Sequence, residues 1–156
     1  MNPLIVKMIL RIATIDDISE MQRIRHAVKE NRLSDPGLVT DQDCEEFITV
    51  RGRGWVADEG DTLAGFSILD LTEKNIWALF VDPRFEGMGI GRGLQELMLN
   101  WYFNLHSETL WLGTAPFTRA AKFYRKSGWR EMGIRTNGEI RFEMSSLAWS
   151  NSRNKT

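Results

Sequence analysis

The sequence predicts one α/β domain with a mixed, largely antiparallel sheet of about seven strands flanked by about four helices. Apolar positions alternate between strand-like and helix-like spacing along the chain. Two pairs of strand-like runs are separated by short turns that are typical of hairpins. One uninterrupted apolar run, residues 76–81, has the pattern of a central strand covered on both faces.

Length and composition favour a single compact unit. A chain of 156 residues, 42 % hydrophobic and 26 % charged, is long enough to bury a core and has ordinary globular composition. No repeat, low-complexity tract or flexible linker divides it. We therefore expect one domain over residues 1–147, followed by a polar, fraying tail over residues 148–156.

The first elements are a strand and two helices. Residues 9–13 are strand-like, and Thr14 with Asp17 three positions later resembles a capping box. The helix that follows has one apolar face and should end near Asn31. A loop with a Pro-Gly turn leads to Thr40, which should cap a second helix that ends near Ile48.

A hairpin and a central strand come next. Residues 55–59 and 62–71 flank the turn at Gly60-Asp61, and the central run 76–81 stops at Asp82-Pro83. The next segment has apolar residues at helical spacing for about three turns. These residues are Leu94, Leu97, Met98, Trp101, Tyr102 and Leu105.

The last third predicts a strand, a helix and a hairpin. Residues 110–112 form a short buried strand, and the helix after it presents Ala120, Phe123 and Tyr124 on one face. Gly128 should terminate this helix. The dipeptide Asn137-Gly138 then predicts a hairpin between residues 130–135 and 140–147.

Composition also excludes several classes of protein. The net charge of −1 gives no electrostatic basis for nucleic-acid binding, and no apolar run is long enough for a membrane span. The apolar N-terminus is interrupted by charges and has no small-residue cleavage site, so we expect a cytoplasmic protein. A lone Cys44 and the isolated His26 and His106 predict neither a disulfide framework nor a metal site.

Four glycines at alternate positions give the first functional signal. Gly87, Gly89, Gly91 and Gly93 follow the central strand and open the long helix. Unpaired N–H groups and the positive end of the helix dipole would converge there on an anion. The spacing fits neither a P-loop nor the dinucleotide fingerprint. Glycines alone are equally compatible with a flexible turn at the start of the helix.

Two motifs resemble those of the GCN5-related N-acetyltransferases. Residues 86–91, Glu-Gly-Met-Gly-Ile-Gly, resemble motif A of that family, Q/R-x-x-G-x-G/A. Residues 120–129, from Ala120 through Phe123-Tyr124 to Gly128-Trp129, resemble its motif B. The order of elements agrees as well, so the resemblance covers about residues 9–147.

The resemblance implies a splayed central strand pair and acetyl-CoA as co-substrate, with no metal. The backbone N–H of Phe80 or Val81 is then the candidate donor to the thioester oxygen. Tyr124 is the candidate acid for the departing thiolate, or alternatively a core aromatic residue. The implied cofactor-binding residues are Leu79, Phe80, Val81, Gly87, Met88, Gly89, Ile90, Gly91 and Arg92.

Two residues depart from the family pattern. Glu86 replaces the usual Gln or Arg, and its carboxylate should turn away from a pyrophosphate. Phe117 stands where many members have Asn, which removes one polar contact to the pantetheine. Both leave the backbone amides of the glycine loop in place. Basic residues around the two motifs either attract the nucleotide phosphates or are ordinary surface charges. They are Arg84, Arg92, Arg119 and Lys122.

The general base is not evident. Some members of the family have a glutamate on the strand equivalent to residues 110–113, but this strand ends in Leu112 and Gly113. Asp70 and Glu73 can serve as a base, directly or through water, or can be solvated loop charges. An amine that arrives neutral at high pH needs no dedicated base.

Acidic residues cluster in the region that lines the acceptor side in the family. They favour a cationic amine, although a solvated helix face explains them equally well. The acids are Glu30, Asp35, Asp41, Asp43, Glu45 and Glu46.

The resemblance thus implies transfer of an acetyl group to a primary amine on a small molecule or peptide. An acyl-CoA-binding sensor without catalysis and a site for another phosphorylated ligand are the alternatives. Six tryptophans and an exposed final hairpin make a homodimer a further expectation.

Overall fold

The computed structural model describes residues 8–28 and 39–153. Its centre is a sheet of seven strands, β1 (Ile9–Ile12), β2 (Gly52–Asp58), β3 (Leu63–Asp70), β4 (Asn75–Val81), β5 (Leu110–Thr114), β6 (Arg130–Ile134) and β7 (Ile140–Met144). Their order in the sheet is β1-β2-β3-β4-β5-β7-β6, and β4 and β5 form the one parallel pair among the described strands.

Helices cover both faces of this sheet, and each face has its own apolar cluster. Buried residues of α1 and α2 pack with β2, β3 and β4 on one face, which we call the acceptor-side face. Residues of α3, α4 and α5 pack on the opposite face, which we call the cofactor-side face. The helices are α1 (Ile18–Ala27), α2 (Asp41–Thr49), α3 (Ile90–Leu105), α4 (Arg119–Lys126) and α5 (Ser146–Arg153).

The predicted fold class and element order are confirmed, with shifts at element ends. Helix α1 ends at Ala27 instead of near Asn31, and Val28 is already extended. The predicted Pro-Gly turn lies outside the described residues. Thr40 caps α2 as expected, because its hydroxyl accepts from the N–H of Asp43 while the Asp43 side chain accepts from the N–H of Thr40.

The prediction of a fraying tail from residue 148 is wrong for residues 148–153, which belong to helix α5. One buried apolar side chain anchors this helix. Trp149 is buried in the cofactor-side cluster, and its indole N–H donates to Asn100 on α3 at 2.9 Å. The apolar residues of this helix, Leu147, Ala148 and Trp149, are consecutive and show no helical periodicity, so the sequence pattern did not reveal this contact.

Among the helices of the described residues, none combines the length and the apolar character that a membrane crossing requires.

Candidate active site

Strands β4 and β5 separate after a single point of pairing. Their ladder has only the register pair Asn75–Trp111, where the Trp111 N–H donates to the Lys74 carbonyl at 3.1 Å. Both strands run in the same direction, so they are joined at their N-terminal ends and open toward Val81 and Thr114. The predicted splayed strand pair is therefore present, and it leaves one edge of β4 without a backbone partner in the sheet.

The hydrogen-bond phase of β4 identifies the N–H groups that face this opening. The Asp82 N–H donates to the Ala64 carbonyl on the β3 side at 2.8 Å. Because successive residues of an antiparallel strand point their N–H groups to opposite sides, Phe80 also faces β3, while Leu79 and Val81 face the opening. Of the two predicted donors, Val81 therefore has its N–H on the open side.

A β-bulge sets this phase. Ile68 pairs with Ala78 and Leu69 pairs with Ile76, so Trp77 has no register partner on β3. One extra residue reverses which N–H groups face which neighbour. Without the bulge, Phe80 instead of Val81 would face the opening.

The glycine loop lies at the open end of β4 and leads into α3. Gly87 and Gly89 have φ of +78° and +80°, and a Cβ at either would meet no heavy atom within 4 Å. The first backbone bond of the helix is from the Gly93 N–H to the Gly89 carbonyl at 3.0 Å. In the described part of the chain, the N–H groups of residues 88–92 have no acceptor. Free N–H groups beside open space fit a pyrophosphate.

Gly91 is where the loop, β4 and α4 meet. A Cβ at this glycine would lie 3.5 Å from Val81 Cγ2 and 3.8 Å from the Phe123 ring. The two motifs, which are about 30 residues apart in sequence, are thus in contact beside the last residue of β4. Met88 and Arg92 are exposed there, whereas the Ile90 side chain is buried in the cofactor-side cluster.

Asp82 fixes the junction between β4 and the loop. Its side chain is buried and accepts from the Arg84 N–H, the Arg84 guanidinium and the Arg23 guanidinium, each at 2.9 Å. Burial opposes ionisation, but these hydrogen bonds outweigh it and lower the pKa of Asp82 to about 2. The carboxylate therefore joins Arg23 of α1 to Arg84, which precedes the glycine loop, across the end of β4.

Tyr124 lies on α4 in the cofactor-side cluster. Its ring packs against Trp129 and Phe142, with centroids 5.8 Å and 6.0 Å away. Burial raises the pKa of the Tyr124 hydroxyl, which keeps its proton in place at neutral pH. This environment is compatible both with a proton donor and with a core aromatic residue.

The two departures from the family pattern have clear positions. The Glu86 carboxylate forms an ion pair with Arg119 at the start of α4, so it is held by a cation beside the loop. Phe117 is 98 % exposed and has φ of +61°, a left-handed conformation that Asn adopts far more readily than Phe. Of the nearby basic residues, Arg84 is paired with Asp82.

The predicted bases do not lie at the opening. Asp70 pairs with Asn75 at the joined end of β4, about 20 Å along the strand from Val81. Its carboxylate is buried and accepts from Arg51 at 2.9 Å and from the Thr72 N–H at 2.9 Å. This bonding explains Asp70 as a structural anchor, and the carbonyl of neighbouring Glu73 accepts from the Trp111 indole at 3.0 Å.

The carboxylate of Glu139, the residue before β7, occupies the place that a side chain at Gly113 on β5 would take. Glu139 is 7 % exposed, and its Oε1 lies 2.6 Å from the position of a Cβ on Gly113. Arg135 and Asn137 donate to the same oxygen at 2.8 Å and 2.9 Å. In the sequence, Gly113 lies on the strand where some members of the family have a glutamate, so this strand itself lacks the carboxylate. The pairing of β5 with β7 brings the Glu139 carboxylate beside Gly113.

The acidic residues of α2 do not face the opening. Asp41, Glu45 and Glu46 are exposed on the solvent side, whereas Cys44 and Ile48 face the sheet. Glu30 and Asp35 lie outside the described residues. Within the described ranges, no group of three or more His, Cys, Asp and Glu side chains is arranged to hold a metal ion.

Comparisons with known proteins agree with this geometry. The sequence model described as the acetyltransferase (GNAT) family matches residues 18–129. No curated protein sequence matches the chain.

Three solved structures illustrate the likeness of fold. A protein from Desulfovibrio desulfuricans described as a GNAT-family acetyltransferase has a TM-score of 0.74 at 16 % identity, covering 89 % of this chain and 99 % of that one. The PaiA N-acetyltransferase from Thermoplasma acidophilum, in complex with coenzyme A, has a TM-score of 0.74 at 14 % identity, with coverage of 89 % and 99 %. The ribosomal-protein-S18-alanine N-acetyltransferase from Escherichia coli has a TM-score of 0.68 at 18 % identity, covering 88 % of this chain and 91 % of that one. With its family match, glycine loop and splayed strands, this chain belongs to the GNAT family of acetyltransferases.

Proposed function

We propose that the protein transfers an acetyl group from acetyl-CoA directly to a primary amine on a small molecule or peptide. The observation that carries this proposal is the open edge of β4 next to the unpaired N–H groups of residues 88–92. A thioester at the opening and a pyrophosphate at the loop would then use two adjacent sets of free backbone donors.

The Val81 N–H is the proposed donor to the thioester oxygen. Negative charge develops on that oxygen when the amine attacks, and a fixed N–H on the open edge needs no rearrangement to stabilise it. The N–H of Leu79, two residues before Val81, lies on the same open edge of β4 and is a second candidate donor. Phe80, whose N–H faces β3, is not part of this proposal.

Tyr124 is the proposed acid for the CoA thiolate. Its buried hydroxyl retains the proton that the leaving group requires. Phe123, its neighbour on α4, contacts the beginning of α3 through Gly91, so this helix lies alongside the proposed cofactor path. The same helix carries Arg119, which forms an ion pair with Glu86, the residue that replaces the usual Gln or Arg of motif A.

Glu139 is the proposed group that receives or orients the amine. It is the buried carboxylate beside Gly113 at the open end of β5, where the predicted candidates Asp70 and Glu73 are absent. Arg135 and Asn137 hold the carboxylate in place. An ionised carboxylate there can anchor an ammonium group and accept a proton from it, directly or through water.

A CoA-binding sensor is the second candidate function, and Phe117 is the observation that favours it. A strained, exposed aromatic side chain in the loop before α4 replaces a polar contact to the pantetheine. In this reading the loop binds CoA while turnover is absent or very slow.

Release of free thiol from acetyl-CoA, measured across a panel of primary amines, tests the proposal. We expect at least one amine to accelerate thiol release well above the rate without acceptor. Thermal unfolding with CoA, acetyl-CoA, NAD and ATP separates the alternatives. Stabilisation by CoA species without amine-dependent release supports the sensor, and stabilisation by NAD or ATP alone points to another phosphorylated ligand.

A homodimer and a cytoplasmic location are further proposals. The dimer is supported by exposed apolar side chains on the two edge strands, Ile9 and Ile12 on β1 and Met132 and Ile134 on β6. Sedimentation velocity tests it, with a single species at the monomer mass as the contrary result.

A further inference from the structure

An ion pair connects the glycine loop to helix α4. The Arg119 guanidinium donates to the Glu86 carboxylate, although the two residues are 33 positions apart in sequence. Both side chains are open to solvent, with exposed fractions of 70 % for Arg119 and 42 % for Glu86. Such an exposed ion pair contributes little to stability, because water solvates both charges when they separate. Another anion that reaches this place can therefore displace the carboxylate.

The same face of α4 contacts the loop at a second point. Phe123 follows Arg119 by four residues, so the two side chains extend from one side of the helix. The Phe123 ring lies 3.8 Å from the position of a Cβ on Gly91. The face of α4 from Arg119 to Phe123 therefore lies along the stretch of loop from Glu86 to Gly91.

The free backbone donors of the loop begin within this stretch. The N–H groups of residues 88–92 have no acceptor among the described residues. Met88 is two positions after Glu86, so their Cα atoms are at most about 7 Å apart. Because N–H groups at a glycine-rich helix start bind phosphate, a pyrophosphate on these donors would have the Arg119 guanidinium nearby.

Glu86 has the wrong charge for a neighbour of a pyrophosphate. A separation of about 7 Å is within the screening length of about 8 Å at physiological salt, so the two anions would repel each other. In the free protein, Arg119 neutralises the carboxylate. A bound pyrophosphate offers the guanidinium more negative charge and two oxygens for a forked contact.

We propose that Arg119 binds the pyrophosphate of acetyl-CoA in exchange for Glu86, whose carboxylate keeps the guanidinium beside the loop in the free protein. Glu86 thus competes with the cofactor, and Arg119 adds a side-chain donor to the backbone donors of the loop. This inference rests on the proposed use of acetyl-CoA. It concerns cofactor binding alone and is independent of which amine is acetylated.

Isothermal titration calorimetry of the 156-residue protein with CoA tests the exchange in a double-mutant cycle. Glu86→Gln keeps the shape and removes the competing charge, so we expect CoA affinity to rise about 3-fold. In that background, Arg119→Met should lower the affinity at least about 10-fold, although no carboxylate remains at position 86 for Arg119 to neutralise.

Two outcomes of this cycle overturn the proposal. Equal affinities of Glu86→Gln and Glu86→Gln/Arg119→Met mean that Arg119 serves only to neutralise Glu86. No rise in the affinity of Glu86→Gln means that the carboxylate does not compete with the cofactor.

A second ion pair of α4 supplies matched controls. Arg125 pairs with Glu131, and their exposed fractions are 48 % and 47 %. Glu131→Gln and Arg125→Met change the net charge of the protein by the same amounts as the two test substitutions. Because these residues do not contact the loop in the structure, both should leave CoA affinity within about 2-fold. Changes as large as those at positions 86 and 119 would reflect net charge alone and overturn the proposal.

A truncated cofactor identifies the phosphate that Arg119 contacts. Dephospho-CoA lacks the 3′-phosphate and keeps the pyrophosphate. Arg119→Met in the Glu86→Gln background should therefore weaken the binding of dephospho-CoA as much as that of CoA. An effect that is confined to CoA assigns Arg119 to the 3′-phosphate and overturns the assignment to the pyrophosphate.

The failure of this inference is distinguishable from the failure of the proposed function. If no amine accelerates thiol release, acetyl transfer fails, and the titrations with CoA still decide the role of Arg119. If the protein binds no CoA species, thermal unfolding with inorganic pyrophosphate decides it. Stabilisation of Glu86→Gln that is lost in Glu86→Gln/Arg119→Met supports the site, whereas equal stabilisation of both variants, or none, overturns it.

Discussion

The two faces of the sheet offer different kinds of groups to the proposed ligands. On the cofactor side, the groups offered to a ligand are backbone N–H groups at residues 88–92, made accessible by glycines with positive φ. On the acceptor side, the group that we propose is a side chain, the Glu139 carboxylate, which lies immediately before β7. Between the faces, the open edge of β4 presents Val81.

This difference explains why the sequence predicts the cofactor half of the proposed site and not the acceptor half. Backbone recognition depends on local conformation, which glycine spacing and a helix start determine within about ten residues. Side-chain recognition depends on which residues distant in sequence become neighbours. The cofactor side can therefore be common to a family while the acceptor side is particular to this chain.

The largest effect should come from a bulky side chain in the glycine loop. Gly89→Val places a β-branched side chain at φ of +80° and fills space open to a ligand, so we expect at least about a 100-fold loss of acetyl-CoA affinity in calorimetry. Gly60→Val is the control, since Gly60 also has positive φ and open surroundings but lies in the β2–β3 turn. If both variants bind acetyl-CoA like the wild type, backbone recognition at this loop is wrong.

Removal of the proposed acid should be the next largest effect. Tyr124→Phe should lower kcat about 50-fold and leave acetyl-CoA affinity within about 2-fold, because only the leaving group needs the hydroxyl. Tyr102→Phe provides the comparison, because the Tyr102 hydroxyl is also buried but has no hydrogen-bond partner among the described residues. An unchanged kcat in Tyr124→Phe would leave this residue as a core aromatic.

Loss of the strand-to-loop anchor should lower stability. Asp82→Asn removes the ionised acceptor of Arg23 and Arg84, and we expect the free energy of unfolding to fall by about 2 kcal/mol at pH 7. Urea unfolding measures this free energy. Acetyl-CoA affinity should also fall in Asp82→Asn, because the glycine loop is held less firmly at the end of β4. Glu59→Gln, at an exposed turn position, should leave the free energy of unfolding unchanged.

The same residue predicts a pH dependence. The pKa of Asp82 in the folded protein is about 2, below the ordinary value near 4, so the unfolded chain binds the proton more readily. The stabilisation from Asp82 is fully present above about pH 4 and disappears as the pH falls toward 2. Wild type and Asp82→Asn should therefore converge in stability over that range. A constant difference between them at all pH values contradicts this assignment.

The smallest effect concerns the acceptor-side carboxylate. Glu139→Gln keeps the shape but removes the charge, and we expect kcat/KM for the amine to fall about 10-fold with acetyl-CoA affinity unchanged. Asp70→Asn is the comparison, because that buried carboxylate lies at the joined end of β4 and should affect stability and not the amine. The reverse result would restore Asp70 as the candidate base.

Much of the fold follows from local pattern. The hairpin turn at Gly60, the helix start at Thr40 and the central strand ending at Asp82 are each determined by a few adjacent residues, and the structure has them as predicted. The weaker predictions concern features without local periodicity. Helix α5 is bound to α3 by the hydrogen bond from Trp149 to Asn100 and by the ion pair between Arg153 and Glu96, and neither contact follows from local periodicity.

The sequence by itself determined the family, the element order and the glycine loop, because spacing and backbone freedom are local properties. Only the tertiary structure decided which N–H of β4 faces the opening, because the bulge at Trp77 shifts the hydrogen-bond phase relative to β3. It also placed Glu139 beside Gly113, although the two residues are far apart in sequence. Those arrangements join residues far apart in the chain, and packing, not local propensity, brings such residues together.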